Sequence, residues 1–74
     1  MQFVDSLKCK LTGKIMRVPV ICSDGYTYER RAIKKYLDEG NTQSPNDHSK
    51  QLDPSFMIPD RALRGVIRWY RLRN

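Results

Sequence analysis

The residues able to do chemistry in this 74-residue chain are few, and their spacing says what they are for. Cys9, Cys22 and His48 are the only classical nitrogen and sulfur metal ligands. A structural zinc site takes four such ligands, commonly in closely spaced pairs. Three ligands with no CxxC pair disfavour one zinc site and exclude two, so no metal and no cofactor is expected. No signal-like leader argues for an oxidising compartment. The two cysteines therefore read as reduced, at least partly buried thiols, and the chain as intracellular, in cytoplasm or nucleus. No catalytic triad is visible. What stands out instead is a polar set around one turn, with Ser23, Asp24, Glu29 and Arg30 in the stretch SDGYTYERRAI at 23–33. Such groups can cross-link loops if every partly buried member finds a partner. At least one of them is expected to bond the second long loop.

The elements that must position this set follow from local patterns. Residues 5–14 are polar with single apolar insertions (Leu7, Cys9, Leu11) and read as a loop. Residues 15–22, IMRVPVIC, are apolar and β-branched. Pro19 cannot donate to a ladder, which makes this an edge strand or a strand that starts late. Ser23-Asp24-Gly25 is a turn and Tyr26-Thr27-Tyr28 a returning strand, so the two runs form a hairpin. Residues 29–39 carry Ala32, Ile33, Tyr36 and Leu37 at helical spacing, with Glu29 at the favoured end for a carboxylate and Gly40 as the stop. The connection 41–59 holds Pro45, Pro54 and Pro59. It is too long to be structureless in a compact domain. Leu52 and Phe56-Met57-Ile58 are its expected anchors, with a short third strand near 56–58. A second helix spans 61–72 behind an Asp60 N-cap, with Leu63, Val66, Ile67 and Tyr70 on one face and Arg61, Arg64, Arg68 and Arg71 beside them.

The expected architecture is α+β: a hairpin, a central helix, two long loops and a C-terminal helix. One domain fills residues 1–74, its core about 7–70, and reads as a piece of a longer protein. So small a chain buries a limited fraction of its surface and needs a staple of some kind. The net charge is +6, from 14 basic and 8 acidic residues. That balance suits an acidic partner or nucleic acid, but no aromatic interleaving or groove-reading motif supports a nucleic-acid module. No apolar run reaches the roughly 20 residues that span a bilayer. Trp69 projects away from the apolar stripe of the second helix and allows a homodimer as one further partner.

In order and spacing, CKLTGKIMRVPV, SDGYTYERRAIKKYL, GNTQSP and MIPDRALRGVI resemble the U-box family of ubiquitin-protein ligases. The resemblance covers about residues 7–70. It implies a RING-like cross-brace in which hydrogen bonds and salt bridges replace two zinc ions. It also implies recruitment of a ubiquitin-conjugating enzyme charged with ubiquitin, with the substrate chosen by regions outside this chain. By position, Leu11 would seat the conjugating enzyme, Tyr36 would contribute from the helix, Pro45 would wall the second loop, and His48 would reach toward ubiquitin. Three departures bear on that groove. Lys10 stands where the family usually has Pro, Gly13 where some members carry a large apolar residue, and NDHSKQL lengthens the second loop by one residue. They keep a non-catalytic U-box scaffold open as the alternative.

Overall fold

The computed structural model describes residues 3–73. A 3-10 turn at Phe3–Leu7 opens the chain. Then follow β1 (Pro19–Cys22), β2 (Thr27–Glu29), α1 (Arg30–Asp38), β3 (Met57–Pro59) and α2 (Arg61–Arg73). The α+β architecture matches expectation, and most element bounds agree within one or two residues.

Three antiparallel strands form one sheet in the order β2-β1-β3. β1 is therefore the central strand, and the edge-strand alternative is corrected. Pro19 is its first residue, where a missing N–H removes no interior ladder bond. The register pairs Val20 with both Tyr28 and Pro59, and Ile21 with both Thr27 and Ile58. The turn closes through Gly25 N–H to Cys22 O (2.9 Å) and Cys22 N–H to Tyr26 O (2.9 Å). Gly25 takes φ +85°, a left-handed conformation that glycine adopts without Cβ strain.

The opening of the loop read over 5–14 is the second correction. Phe3–Leu7 winds into a 3-10 turn, fastened by Ser6 Oγ donating to Phe3 O at 2.6 Å. Five residues carry too little periodicity to announce themselves, and the turn's contribution is to drop Leu7 into the core. There Leu7 meets Cys9, Met16, Val20, Cys22, Tyr28, Ile33, Leu52 and Ile67. Of the apolar face read on α2, Ile67 is buried and Leu63 and Tyr70 pack against the core, while Val66 stays exposed.

The Asp60 N-cap does more than start α2. Its Oδ1 accepts the Leu63 N–H at 3.1 Å, as a cap should. Its Oδ2 accepts from Thr27 Oγ1 at 3.1 Å, and its own N–H donates to Pro19 O at 2.9 Å. One residue thus pins the helix to two strands. The connection 41–52 is also ordered. Leu52 N–H donates to Thr42 O (2.7 Å), Ser44 N–H to Lys50 O (2.9 Å), and Gln43 bridges Gln51.

Candidate functional site

Asp24 is the centre of a buried polar cluster that ties the second loop to the hairpin. It is only 3% exposed. Its Oδ2 accepts hydrogen bonds from Tyr28 Oη and Ser44 Oγ, both at 2.6 Å, and its Oδ1 accepts the Tyr26 N–H at 3.0 Å. Ser44, fully buried, accepts in turn from the N–H groups of Asn46 (3.2 Å) and Asp47 (3.0 Å). Asn46 Nδ2 donates to Tyr28 Oη at 3.3 Å. Lys50 adds a bond from Nζ to Asp24 O at 3.3 Å, with its ammonium 5.9 Å from the Tyr26 ring centroid. Ser23 holds the far end of the same loop by accepting the Asp53 N–H at 2.8 Å. These side chains and several main-chain donors thus join the second loop to the hairpin. Among the described residues no buried side-chain N or O lacks a partner. Nor does any group of three or more His, Cys, Asp or Glu side chains gather to hold a metal ion.

The first loop has its own clamp. The Glu29 carboxylate accepts the N–H groups of Arg17 (2.8 Å) and Val18 (2.7 Å). It stands at the N-cap of α1, the helix end read from the sequence, but its side chain makes no capping bond there. Its N–H donates to Cys9 Sγ at 3.2 Å. Arg30 is the clamp candidate that the structure does not bring in. Its main-chain N–H bonds Val18 O at 3.0 Å, but its exposed side chain has no hydrogen bond or ion pair to any described residue. As the first residue of α1 it is exposed, lining a surface depression with Pro54 and Met57 without a polar bond to either.

Replacing Glu29 by Gln should cost about 2 kcal/mol, since one of two charge-assisted acceptors becomes a donor facing an N–H. Urea denaturation measures this. A loss within a few tenths of a kcal/mol would mean water satisfies Arg17 and Val18 instead.

The groove candidates Leu11, Gly13, Pro45 and His48 sit on the loops these clamps hold, and Tyr36 sits on α1. Leu11 is half-buried and packs against the core, next to a turn in which Gly13 N–H bonds Cys9 O at 2.7 Å. Gly13 has φ +68°, and a Cβ there would meet nothing within 4 Å. The space exists for a side chain, but the backbone conformation resists one. Tyr36 also packs on the core, and its hydroxyl donates to Gln43 O at 2.6 Å. It therefore braces the second loop two residues before half-buried Pro45. His48 is exposed, and its carbonyl accepts from Gln43 Nε2 at 2.7 Å.

Sequence reasoning missed Ser44, Tyr28, Asn46 and Thr27. For Tyr28 a signal existed, because period-two alternation along β2 turns it inward. For Ser44 the only hint was a small hydroxyl beside a proline.

Both cysteines are free and buried, at 1% exposure for Cys9 and 3% for Cys22. Burial, then the charge of Asp24, then Cys9, push the Cys22 thiol from its ordinary 9.0 up to about 11. Burial and the bond to Asp24 likewise raise the Tyr28 phenol. Folding thus favours both neutral forms. For Cys22 the stability this provides is complete below about pH 9 and is lost as pH rises toward 11, while for Tyr28 the loss begins only above about pH 10. The thermal midpoint should fall through that window, and Cys22→Ala should flatten the first part of the fall. A midpoint constant from pH 8 to 11 would contradict the burial argument.

Comparison with known proteins points the same way. The U-box domain profile matches residues 4–74. The WD repeat, SAM and U-box domain-containing protein 1 of Danio rerio is 38% identical over 66 residues, which cover 88% of this chain and 13% of that protein. U-box domain-containing protein 57 of Arabidopsis thaliana is 40% identical over 62 residues, 84% of this chain and 16% of that one. The chain therefore spans a small part of the length of these curated relatives. Among solved structures, the RING finger-like domain of Retinoblastoma Binding Protein-6 superposes with a TM-score of 0.80 at 24% identity, covering 92% of this chain and 76% of that domain. At that identity the likeness bears on the fold.

Proposed function

We infer that this chain, which belongs to the U-box family of RING-like ubiquitin-ligase modules, recruits a ubiquitin-conjugating enzyme and promotes transfer of ubiquitin from its thioester to a substrate lysine. The observation that carries the reading is the pair of hydrogen-bonded clamps. Asp24 with Ser44, and Glu29 with Arg17 and Val18, fix the two loops on either side of the hairpin. Fixed loops can present Leu11 and Pro45 to a partner without the entropy cost of ordering them on binding.

In the reaction the lysine amine attacks the thioester carbonyl. An isopeptide C–N bond forms, the C–S bond breaks, and the conjugating enzyme's cysteine leaves while the amine proton goes to solvent. This chain contributes no nucleophile. Its two thiols are buried, and Cys22 is held protonated well above neutral pH, so a ubiquitin thioester on this chain has no accessible sulfur. Its work is to bind and to hold the charged enzyme in a reactive arrangement. Leu11, Gly13, Tyr36, Pro45 and His48 are the residues proposed to meet it, and regions outside the chain would choose the substrate. An intracellular location, cytoplasm or nucleus, goes with this proposal. No helix among the described residues is long and apolar enough to cross a membrane.

A second reading, a U-box used as a non-catalytic scaffold, draws on Tyr36 and Gly13. The Tyr36 hydroxyl is already committed to Gln43 O, and Gly13 adds no apolar side chain to the first loop beside Leu11. Mixing the domain with activating enzyme, a broad panel of conjugating enzymes, ubiquitin and ATP separates the two. Ubiquitin chains or self-modified domain support the ligase. Complete silence across the panel, from a folded domain, leaves the scaffold.

A further inference from the structure

The second loop carries two proposed contacts, Pro45 and His48, and they are held in different ways. The stem of the loop is a two-bond ladder. Leu52 N–H donates to Thr42 O at 2.7 Å and Ser44 N–H to Lys50 O at 2.9 Å. These bonds flank Gln43 and Gln51, which face each other as an antiparallel pair without bonding one another. Main-chain groups at such a position point away from the partner strand. The Gln43 carbonyl is thereby free for α1, where it accepts the Tyr36 hydroxyl at 2.6 Å. Beyond the stem the turn is tied down residue by residue. The Asn46 and Asp47 N–H groups donate to Ser44 Oγ, the Ser49 N–H to Asp47 Oδ1 at 3.1 Å, and the Lys50 N–H to Asp47 O at 2.9 Å. His48 stands apart from this set. Among the described residues, the hydrogen bond that holds it is the 2.7 Å bond its carbonyl accepts from Gln43 Nε2, and its imidazole is exposed.

Gln43 therefore reaches in two directions. Its carbonyl is fixed to α1 through Tyr36, and its carboxamide carries that anchorage across the loop to His48. The side chain is exposed, so its loss opens no cavity, and a solvent-facing bond of this kind adds little to folding. What it does fix is the direction of the His48 main chain. A segment already ordered in the free protein binds without losing that freedom on contact. We propose, resting on the ligase reading in which Pro45 meets the conjugating enzyme and His48 reaches toward ubiquitin, that Gln43 is a positioning residue for the transfer. Its carboxamide sets the His48 carbonyl, and with it the imidazole, relative to α1. Pro45 has separate support, because the neighbouring Ser44 is held by Lys50 O and by Asp24. Losing the carboxamide should thus disturb how ubiquitin is held and leave capture of the conjugating enzyme intact.

The test follows discharge of ubiquitin from a charged conjugating enzyme to free lysine, using the enzyme of the panel that transfers fastest, over a range of its concentrations. Gln43→Met keeps the length of the side chain and removes its donor. The rate at saturating enzyme should fall about fivefold, the scale of ordering one side chain at an interface. The half-saturating concentration and the urea midpoint should stay at the parent values. His48→Ala should show the same fall in rate. The double variant should fall no further than either single one, because one residue acts through the other. An unchanged rate in Gln43→Met or in His48→Ala would overturn the proposal. So would a raised half-saturating concentration in place of the lower rate, effects that multiply in the double variant, or a fall in rate that comes with a lower urea midpoint. A parent domain that discharges no enzyme of the panel would sink the ligase reading itself, and this proposal with it, before any variant is made.

Discussion

Asp24→Ala should leave a large fraction of the domain unfolded at 25 °C. The carboxylate is nearly inaccessible and accepts three hydrogen bonds, from Tyr28 Oη, Ser44 Oγ and the Tyr26 N–H. Alanine removes every acceptor at once. The Tyr28 and Ser44 oxygens stand 3.5 Å apart, so one hydroxyl can turn to the other, but the remaining donors are stranded in the interior. Each stranded group costs about 1–3 kcal/mol, and bonds to a charged acceptor are the stronger kind. The expected loss is about 3–5 kcal/mol. A domain of this length holds on the order of 4–11 kcal/mol in total, and short chains sit at the low end. Urea denaturation followed by circular dichroism measures the loss directly.

Asp24→Asn refines the same prediction. Asparagine keeps the shape and one acceptor, yet its amide would aim donors at two hydroxyls. Ser44 Oγ already accepts two N–H groups and Tyr28 Oη accepts from Asn46. The loss should therefore be intermediate, about 2 kcal/mol. If both variants stay within 1 kcal/mol of the parent, the cluster is not the staple that a domain of this size requires.

How much of this was legible depends on the distance over which each feature is decided. Ser23-Asp24-Gly25 and the Asp60 cap are local chemistry, so the hairpin and α2 could be placed from a few adjacent residues. The sheet order could not. β1 becomes central only because Met57–Pro59, some 36 residues further along, pairs with its open edge, and a three-residue strand carries almost no pattern of its own. The polar clamps split the same way. Residue type nominated Ser23, Asp24, Glu29 and Arg30 alike. The fold then spent Glu29 on Arg17 and Val18 and left Arg30 exposed, a difference that composition does not encode. Ser44 and Asn46 could not be picked out, because a loop of polar residues looks the same whether its hydroxyls face water or a buried carboxylate. For the groove, the sequence supplied Leu11 and Pro45 as an apolar residue and a proline in polar loops. The reason those loops can act as rigid walls lies in partners up to 30 residues away.

Leu11→Ala should abolish most ubiquitin transfer while leaving the domain folded. Leu11 packs on the core but is only half-buried. Truncating a fully buried leucine costs about 2–5 kcal/mol, so half-burial points to about 1 kcal/mol, which the domain tolerates. Binding is a different matter. A central apolar contact in a small interface carries about 2 kcal/mol or more, equivalent to roughly a thirtyfold loss of affinity for the conjugating enzyme. Ile58→Ala serves as the control. Ile58 is equally apolar and 50% exposed, but it lies on the outer strand of the sheet, so transfer should persist. The two effects are separable by measuring urea stability and transfer rate on the same protein. A Leu11→Ala domain that loses 3 kcal/mol or more would make Leu11 a core residue of the first loop. One that keeps both stability and full transfer would move the partner surface elsewhere. Only loss of transfer with stability retained gives Leu11 the role of a contact, because the clamp at Glu29 holds the first loop whether or not its apolar tip is present.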